Sequence, residues 1–220
     1  MPEFMGKKIT KAGESARHAY RRALEKSIRT QANGTGWKSA GGSMFREAAG
    51  WFFQAAPAVY IYEPDTKLGV SVKPMAIDPI LWQLLGVPEL GKQSLSFRAT
   101  GALTCRPRCF DEQPIEENDD PAIVADRLIA AATKHFENTL QSYSLDAFLI
   151  DCREAAGRTE NYLPSLVATL IAMNQEGEAL AVCEQARARG AIGGLLFPGS
   201  SFVEMAVNRL QQRHTDAVRH

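Results

Sequence analysis

The chain of 220 residues balances 25 Lys and Arg against 25 Asp and Glu, and 45% of it is hydrophobic. Zero net charge gives no global pull toward nucleic acid or an anionic membrane, and there is ample apolar material for a core. No apolar run reaches bilayer-spanning length and no signal-peptide pattern opens the chain, so a soluble, cytoplasmic protein is expected.

Met1-Pro2-Glu3-Phe4 ahead of Met5 reads as a cloning remnant, and residues 1–13 are expected to be disordered. Glu14 to Gln31 follows as a helix. Ala16, Ala19, Tyr20, Ala23, Leu24 and Ile28 recur at three and four, which places them on one stripe. The basic residues between Lys7 and Arg29 fall largely off it; they read as a solvated face, with phosphate binding as the alternative. Asn33-Gly34-Thr35-Gly36 ends the helix.

Trp37 to Ala49 reads as short strand and turn, broken at Gly41-Gly42. Trp51-Phe52-Phe53 opens another strand; aromatics of this kind fill a core on one face and cover an edge on the other, with ligand stacking as the alternative. From Ala58 the pattern is strand, turn at Glu63 to Lys67, and strand again. Val59 and Ile61 alternate with Tyr60 and Tyr62, and Leu68, Val70 and Val72 share one face. Pro74 lacks a ladder donor and ends the second strand. Asp78-Pro79 reads as an N-cap plus first-turn proline, opening a short helix that Trp82 anchors against the sheet and Gly86 stops. Ser94 to Cys105 alternates Leu95, Phe97 and Ala99 with Ser96, Arg98 and Thr100, which predicts a further strand with a bulge at Gly101. The expected fold class is therefore α+β, with a mainly antiparallel sheet of four to five strands and flanking helices over residues 14–156.

Phe110 to Asp120 is read as an acidic loop, and Asp120-Pro121 caps a helix whose face is Val124, Leu128, Ala132, Phe136 and Leu140. Ser144 caps the next helix, to Ala156. No strand signal returns after it. Residues 157–212 are expected to hold a helical hairpin, Thr159 to Ala172 and Glu176 to Arg189, then a last helix capped by Ser200 or Ser201. Residues 213–220 are expected to fray.

Chemistry-bearing motifs are few. Cys105 and Cys109 form the only close cysteine pair, and Cys152 and Cys183 stand alone; four such thiols fit a reducing cytosol better than a disulfide framework or zinc site. No H-E-x-x-H, G-x-G-x-x-G, P-loop or EF-hand spacing occurs, so no cofactor or metal is expected. His18, His135, His214 and His220 have no nucleophile partner in sequence. The candidate binding residues are charged: Arg98, Arg106 and Arg108, which suit a carboxylate or phosphate, and Asp111, Glu112, Glu116, Glu117 and Asp119 in the acidic loop.

The segments Gly50-Trp51-Phe52-Phe53, Val70-Ser71-Val72-Lys73-Pro74 and Ile77-Asp78-Pro79-Ile80-Leu81-Trp82 resemble bacterial α+β domains similar to cytosolic immunity proteins of polymorphic and type VI secreted toxins. That resemblance implies a non-enzymatic protein that covers the active site of a cognate toxin; separately, the charge of the acidic loop suits the basic cleft of a nuclease-like toxin. The C-terminal hairpin resembles a tetratricopeptide unit at Leu166, Ala179, Cys183 and Ala186. It departs from one at Val167 and in lacking a proline after Gly190. Two alternatives stand beside the toxin partner. One is an enzyme acting on a small phosphorylated or nucleotide ligand, with Arg98, Arg106 and Arg108 holding the anion and Asp78 or Asp65 as acid or base. The other is an adaptor gripping a peptide between Leu163 and Cys183. A homodimer stays open.

Overall fold

The computed structural model describes residues 11–58, 66–101, 103–115, 119–197 and 199–218. The expected turn at Glu63 to Lys67 and the alternation from Val59 to Tyr62 lie almost wholly outside them. Helix α1 spans Lys11–Ala32, so the helix begins inside the segment expected to be disordered. A five-stranded antiparallel sheet follows in the order β1-β2-β3-β4-β5: β1 Lys38–Ala40, β2 Ser43–Ala48, β3 Trp51–Ala58, β4 Thr66–Pro74 and β5 Arg108–Ile115. Two-residue connections join the first three strands. Gly41 and Gly42 lie at φ +56° and +79°, and Ala49 and Gly50 at +48° and +80°. Positive φ at both central residues is the condition for a type I′ turn, whose twist matches that of paired strands.

Helix α2 (Ile77–Leu84) and the one-turn α3 (Phe97–Thr100) lie between β4 and β5. The remaining helices are α4 Pro121–Ser142, α5 Leu145–Arg158, α6 Leu163–Ala172, α7 Glu176–Ala188 and α8 Phe202–Val218. A two-stranded ribbon, β6 Leu196–Phe197 and β7 Ser200–Ser201, precedes α8. Asp120 and Ser144 are N-caps as expected: their side chains accept from Ala122 N and Ala147 N. Ser201 caps α8 reciprocally. Its Oγ accepts from Glu204 N at 3.3 Å while Glu204 Oε2 accepts from Ser201 N at 2.8 Å, a capping box at the start of α8; at its other end the helix runs to Val218, where fraying was expected.

Two apolar cores result. Leu24 and Ile28 of α1 and Val124, Ala125, Leu128 and Ala132 of α4 close over Met44, Phe53, Ala55, Leu68, Val70 and Val72 on one face of the sheet. Leu140, expected on that face, is exposed, and Thr139 is buried instead. The second core joins α2 to α5, α6, α7 and α8. Thus α2 docks on the C-terminal helices and not on the sheet; Trp82 does anchor it, donating from Nε1 to Leu103 O at 2.6 Å. Leu163, Leu166, Val167, Cys183 and Ala186 are all buried, so the face between Leu163 and Cys183 is filled and offers no open peptide groove. Trp51 packs against both cores, its ring 5.3 Å from Tyr143 and 6.1 Å from Phe148.

Candidate functional site

The other face of the sheet is polar. Strand alternation puts Phe52, Gln54, Ser71 and Lys73 on it, because Phe52 is in register with Lys73 and Gln54 with Ser71. The segment expected to be a strand, Ser94 to Cys105, crosses this face as α3 and an irregular run, and Gly101 follows α3 as its C-terminal residue with no bulge there. Its N–H groups from Phe97 to Gly101 are paired within its own turns, and several of its carbonyls are taken by side chains in place of a ladder. Gln54 Nε2 donates to Ala99 O at 3.0 Å and Lys73 Nζ to Cys105 O at 3.1 Å and Arg98 O at 3.4 Å.

Beneath that segment lies a buried ion cluster. Asp78 is not the N-cap of α2. It sits in the first helical turn, fully buried, with no capping bond from the preceding residue. Lys73 Nζ lies 2.9 Å from Asp78 Oδ2, and Arg98 Nη1 donates to the same oxygen at 2.9 Å. Cys105 N donates to Oδ1 at 2.8 Å. Arg98 Nη1 also donates to Met75 O at 2.9 Å, and its guanidinium carbon stands 5.2 Å from the Trp82 ring centroid. A charge this buried persists only when paired and hydrogen-bonded, and Asp78 has both.

A cavity of about 250 Å³ opens above the cluster, between the polar sheet face, the segment around Arg98 to Pro107, and the helical part at Asn161, Pro164 and Gly193-Gly194. Lys73, Arg98 and Arg106 line it. Lys73 is almost wholly buried and Arg98 only 12% exposed along its side chain, whereas Arg106 is exposed at the mouth. The Arg106 carbonyl is held by Ser165 Oγ at 3.0 Å, which fixes the backbone. Among the described residues its guanidinium pairs with no carboxylate. The far wall is shaped by Gly194, at φ +68°, where any Cβ would overlap the Asn161 side chain. Glu160 stays out of the lining and braces the same loop, its Oε2 accepting from Ile192 N at 2.8 Å and Gly193 N at 3.2 Å.

The expected site residues separate into three groups. Arg98 and Arg106 come together at the cavity. Arg108 does not: it starts β5 and its Nε lies 3.4 Å from Asp151 Oδ2, beside the Tyr143 hydroxyl that donates to the same oxygen. Burial, then Asp151, pushes the Tyr143 hydroxyl well above its ordinary range. The acidic loop is a strand over its first half, since β5 runs to Ile115 and pairs Asp111 with Val70 and Glu112 with Gly69. Glu116 and Glu117 lie outside the described residues, and Asp119 Oδ2 accepts from Arg127 at 3.1 Å. Sequence reading missed Lys73 and Gln54. The available signal was a lysine directly before a strand-ending proline, on the face of β4 opposite Leu68, Val70 and Val72.

Of the described residues that line the cavity, Thr104 donates from Oγ1 to Gly101 O, and Cys105 carries the one thiol. Cys105 is buried, and burial, then Asp78, raises its thiol well above the usual range. A raised thiol stays protonated and unreactive. Among the described residues, no cluster of three or more His, Cys, Asp and Glu could hold a metal, and no helix is long and apolar enough to cross a membrane. No family model, curated protein or solved structure matches the chain.

Proposed function

We propose that the protein is a binding protein that takes a small anionic ligand in the cavity between its sheet and its C-terminal helices. The observation that carries this reading is Arg106. It stands at the mouth without a carboxylate partner among the described residues, above Lys73 and Arg98. Three cations line the cavity, and Asp78, the carboxylate that contacts Lys73 and Arg98 among the described residues, is saturated by its own contacts. An anion held there gains charge-assisted hydrogen bonds in partly desolvated surroundings. Asp78 is too thoroughly engaged to act as an acid or base, so this reading keeps the anion site of the enzyme alternative and drops the catalysis. The test is thermal unfolding at fixed ionic strength against phosphate, sulfate and small mono- and dicarboxylates. A bound anion raises the midpoint by linkage. Arg106→Ala abolishes that rise without lowering the ligand-free midpoint. If no anion shifts the native protein more than the variant, the reading fails.

A second reading is a cytosolic immunity protein that neutralises a cognate toxin. It is supported by the resemblance above and by one observation: among the described residues β5 is an outer strand that pairs with β4 alone, and its sequence carries Asp111 and Glu112 in succession. Acidic groups on an outer strand suit a basic partner surface and speed its approach. Calorimetric titration with the product of the neighbouring gene tests it. Neutralising Asp111 and Glu112 weakens that association at low salt, and an adjacent toxin that does not bind removes the reading.

A further inference from the structure

From the charge around the cavity, and resting on the anion reading above, we infer that the ligand is a dianion, a small phosphate monoester. Lys73, Arg98 and Arg106 supply three positive charges and Asp78 one negative charge, so the surplus is two. Other charged groups nearby do not alter it. Arg108 lies outside the lining, its Nε 3.4 Å from Asp151 Oδ2, and Glu160 lies outside it too, with Oε2 turned to the backbone of Ile192 and Gly193.

The donors that remain suit several oxygens around one centre. All three Lys73 protons have acceptors in the protein, at Asp78, Cys105 O and Arg98 O, so Lys73 contributes its charge and no bond. Arg98 spends Nη1 on Asp78 and Met75 O, and the residue lines the cavity with its side chain 12% exposed. Arg106 brings a whole guanidinium. The Arg106 fork beside the Arg98 charge suits a tetrahedral phosphate with three terminal oxygens, whereas a single planar carboxylate fills one fork. The cavity, about 250 Å³, is smaller than the pockets of about 300–1,000 Å³ that take drug-sized molecules, so it suits a phosphate with a small organic body.

The experiment is calorimetric titration of the full chain with methyl phosphate, sulfate and acetate at pH 7.5 and pH 5.0, at constant ionic strength. A phosphate monoester loses its second charge near a pKa of about 6, so its affinity is expected to fall about tenfold between those pH values. Sulfate keeps two charges throughout and should hold its affinity. Acetate should bind at least tenfold more weakly than methyl phosphate at pH 7.5. Arg106→Ala, an exposed position whose guanidinium makes no ion pair among the described residues, should cost methyl phosphate tenfold or more while leaving the fold intact. Acetate binding within threefold of methyl phosphate, or methyl phosphate affinity equal at both pH values, overturns the dianion assignment and leaves the anion reading standing. If none of the three binds in an Arg106-dependent way, both fall.

Discussion

Asp78→Asn is the most informative single perturbation. It keeps the side chain's size and removes its charge. Lys73 is then left 1% exposed beside a neutral amide, and Arg98 loses the buried carboxylate it pairs with. Breaking a buried ion pair by deleting one partner costs about 3–5 kcal/mol, because the stranded charge cannot recover its hydration. The Asn side chain can still accept from Cys105 N, so the loss belongs to the two cations. For a chain of this size each kcal/mol moves the melting midpoint by about 2–4 °C, which gives a drop of about 6–20 °C. Urea titration followed by tryptophan fluorescence reads the same loss as a lower midpoint at unchanged slope. Lys73→Met in the Asp78→Asn background removes one stranded charge. The double variant should therefore be more stable than the sum of the singles by about 1–3 kcal/mol. An Asp78→Asn protein within 1 kcal/mol of the parent would refute the view that these charges are desolvated.

Three further outcomes follow from particular contacts. Ala49 holds φ +48° in the β2–β3 turn, a region that strains a Cβ, so Ala49→Gly should stabilise by up to about 1 kcal/mol in denaturant titration; destabilisation would mean that the turn is not strained. Ser201→Ala removes the α8 cap and should cost about 1 kcal/mol, seen as a lower urea midpoint; no change would mean that the capping box is idle. Burial pushes the Cys152 and Cys183 thiols up to about 12. Unfolded thiols ionise first, near pH 8.5, so the unfolded state then binds fewer protons and stability falls as pH rises from about 8.5 toward 12. Each thiol contributes up to about 1.4 kcal/mol per pH unit, and a Cys152→Ala, Cys183→Ala protein should show the shallower slope; an equal slope would refute the assignment.

What could be read from the sequence was local. The glycine pair between β1 and β2, the shared face of Leu68, Val70 and Val72, and the caps at Asp120 and Ser144 are each fixed by neighbours within a turn or a strand; of the stripe expected on α1 only Leu24 and Ile28 are buried, while Ala16, Ala19 and Ala23 are exposed. Ser94 to Cys105 misled because its alternation of period two spans few residues and its partners are distant. The carbonyls of Arg98, Ala99, Leu103 and Cys105 are taken by the side chains of Lys73, Gln54 and Trp82, a solution that no window along the chain reveals. Asp78 misled for the same reason. Asp-Pro is a sound capping signature, and only the fold brings Lys73 and Arg98 to that carboxylate. β5 was hidden by composition, since carboxylates are depleted in strands and tolerated at an edge.

The division of labour among the three cations yields a test that separates binding from folding. Lys73 is spent on structure, with every proton accepted inside the protein. Arg98 is shared, because the guanidinium that lines the cavity also neutralises Asp78 and caps the Met75 carbonyl. Arg106 touches its surroundings mainly through its backbone. Arg98→Ala should therefore lower stability and anion affinity together, while Arg106→Ala lowers affinity alone. Arg98→Lys keeps the charge near Asp78 but loses the planar fork, so it should recover much of the stability and little of the binding. Unfolding midpoints and anion titrations on these three variants give six numbers for one scheme. If Arg98→Lys recovered binding in full, the cavity would be acting as a point-charge trap and the fork geometry would carry no weight.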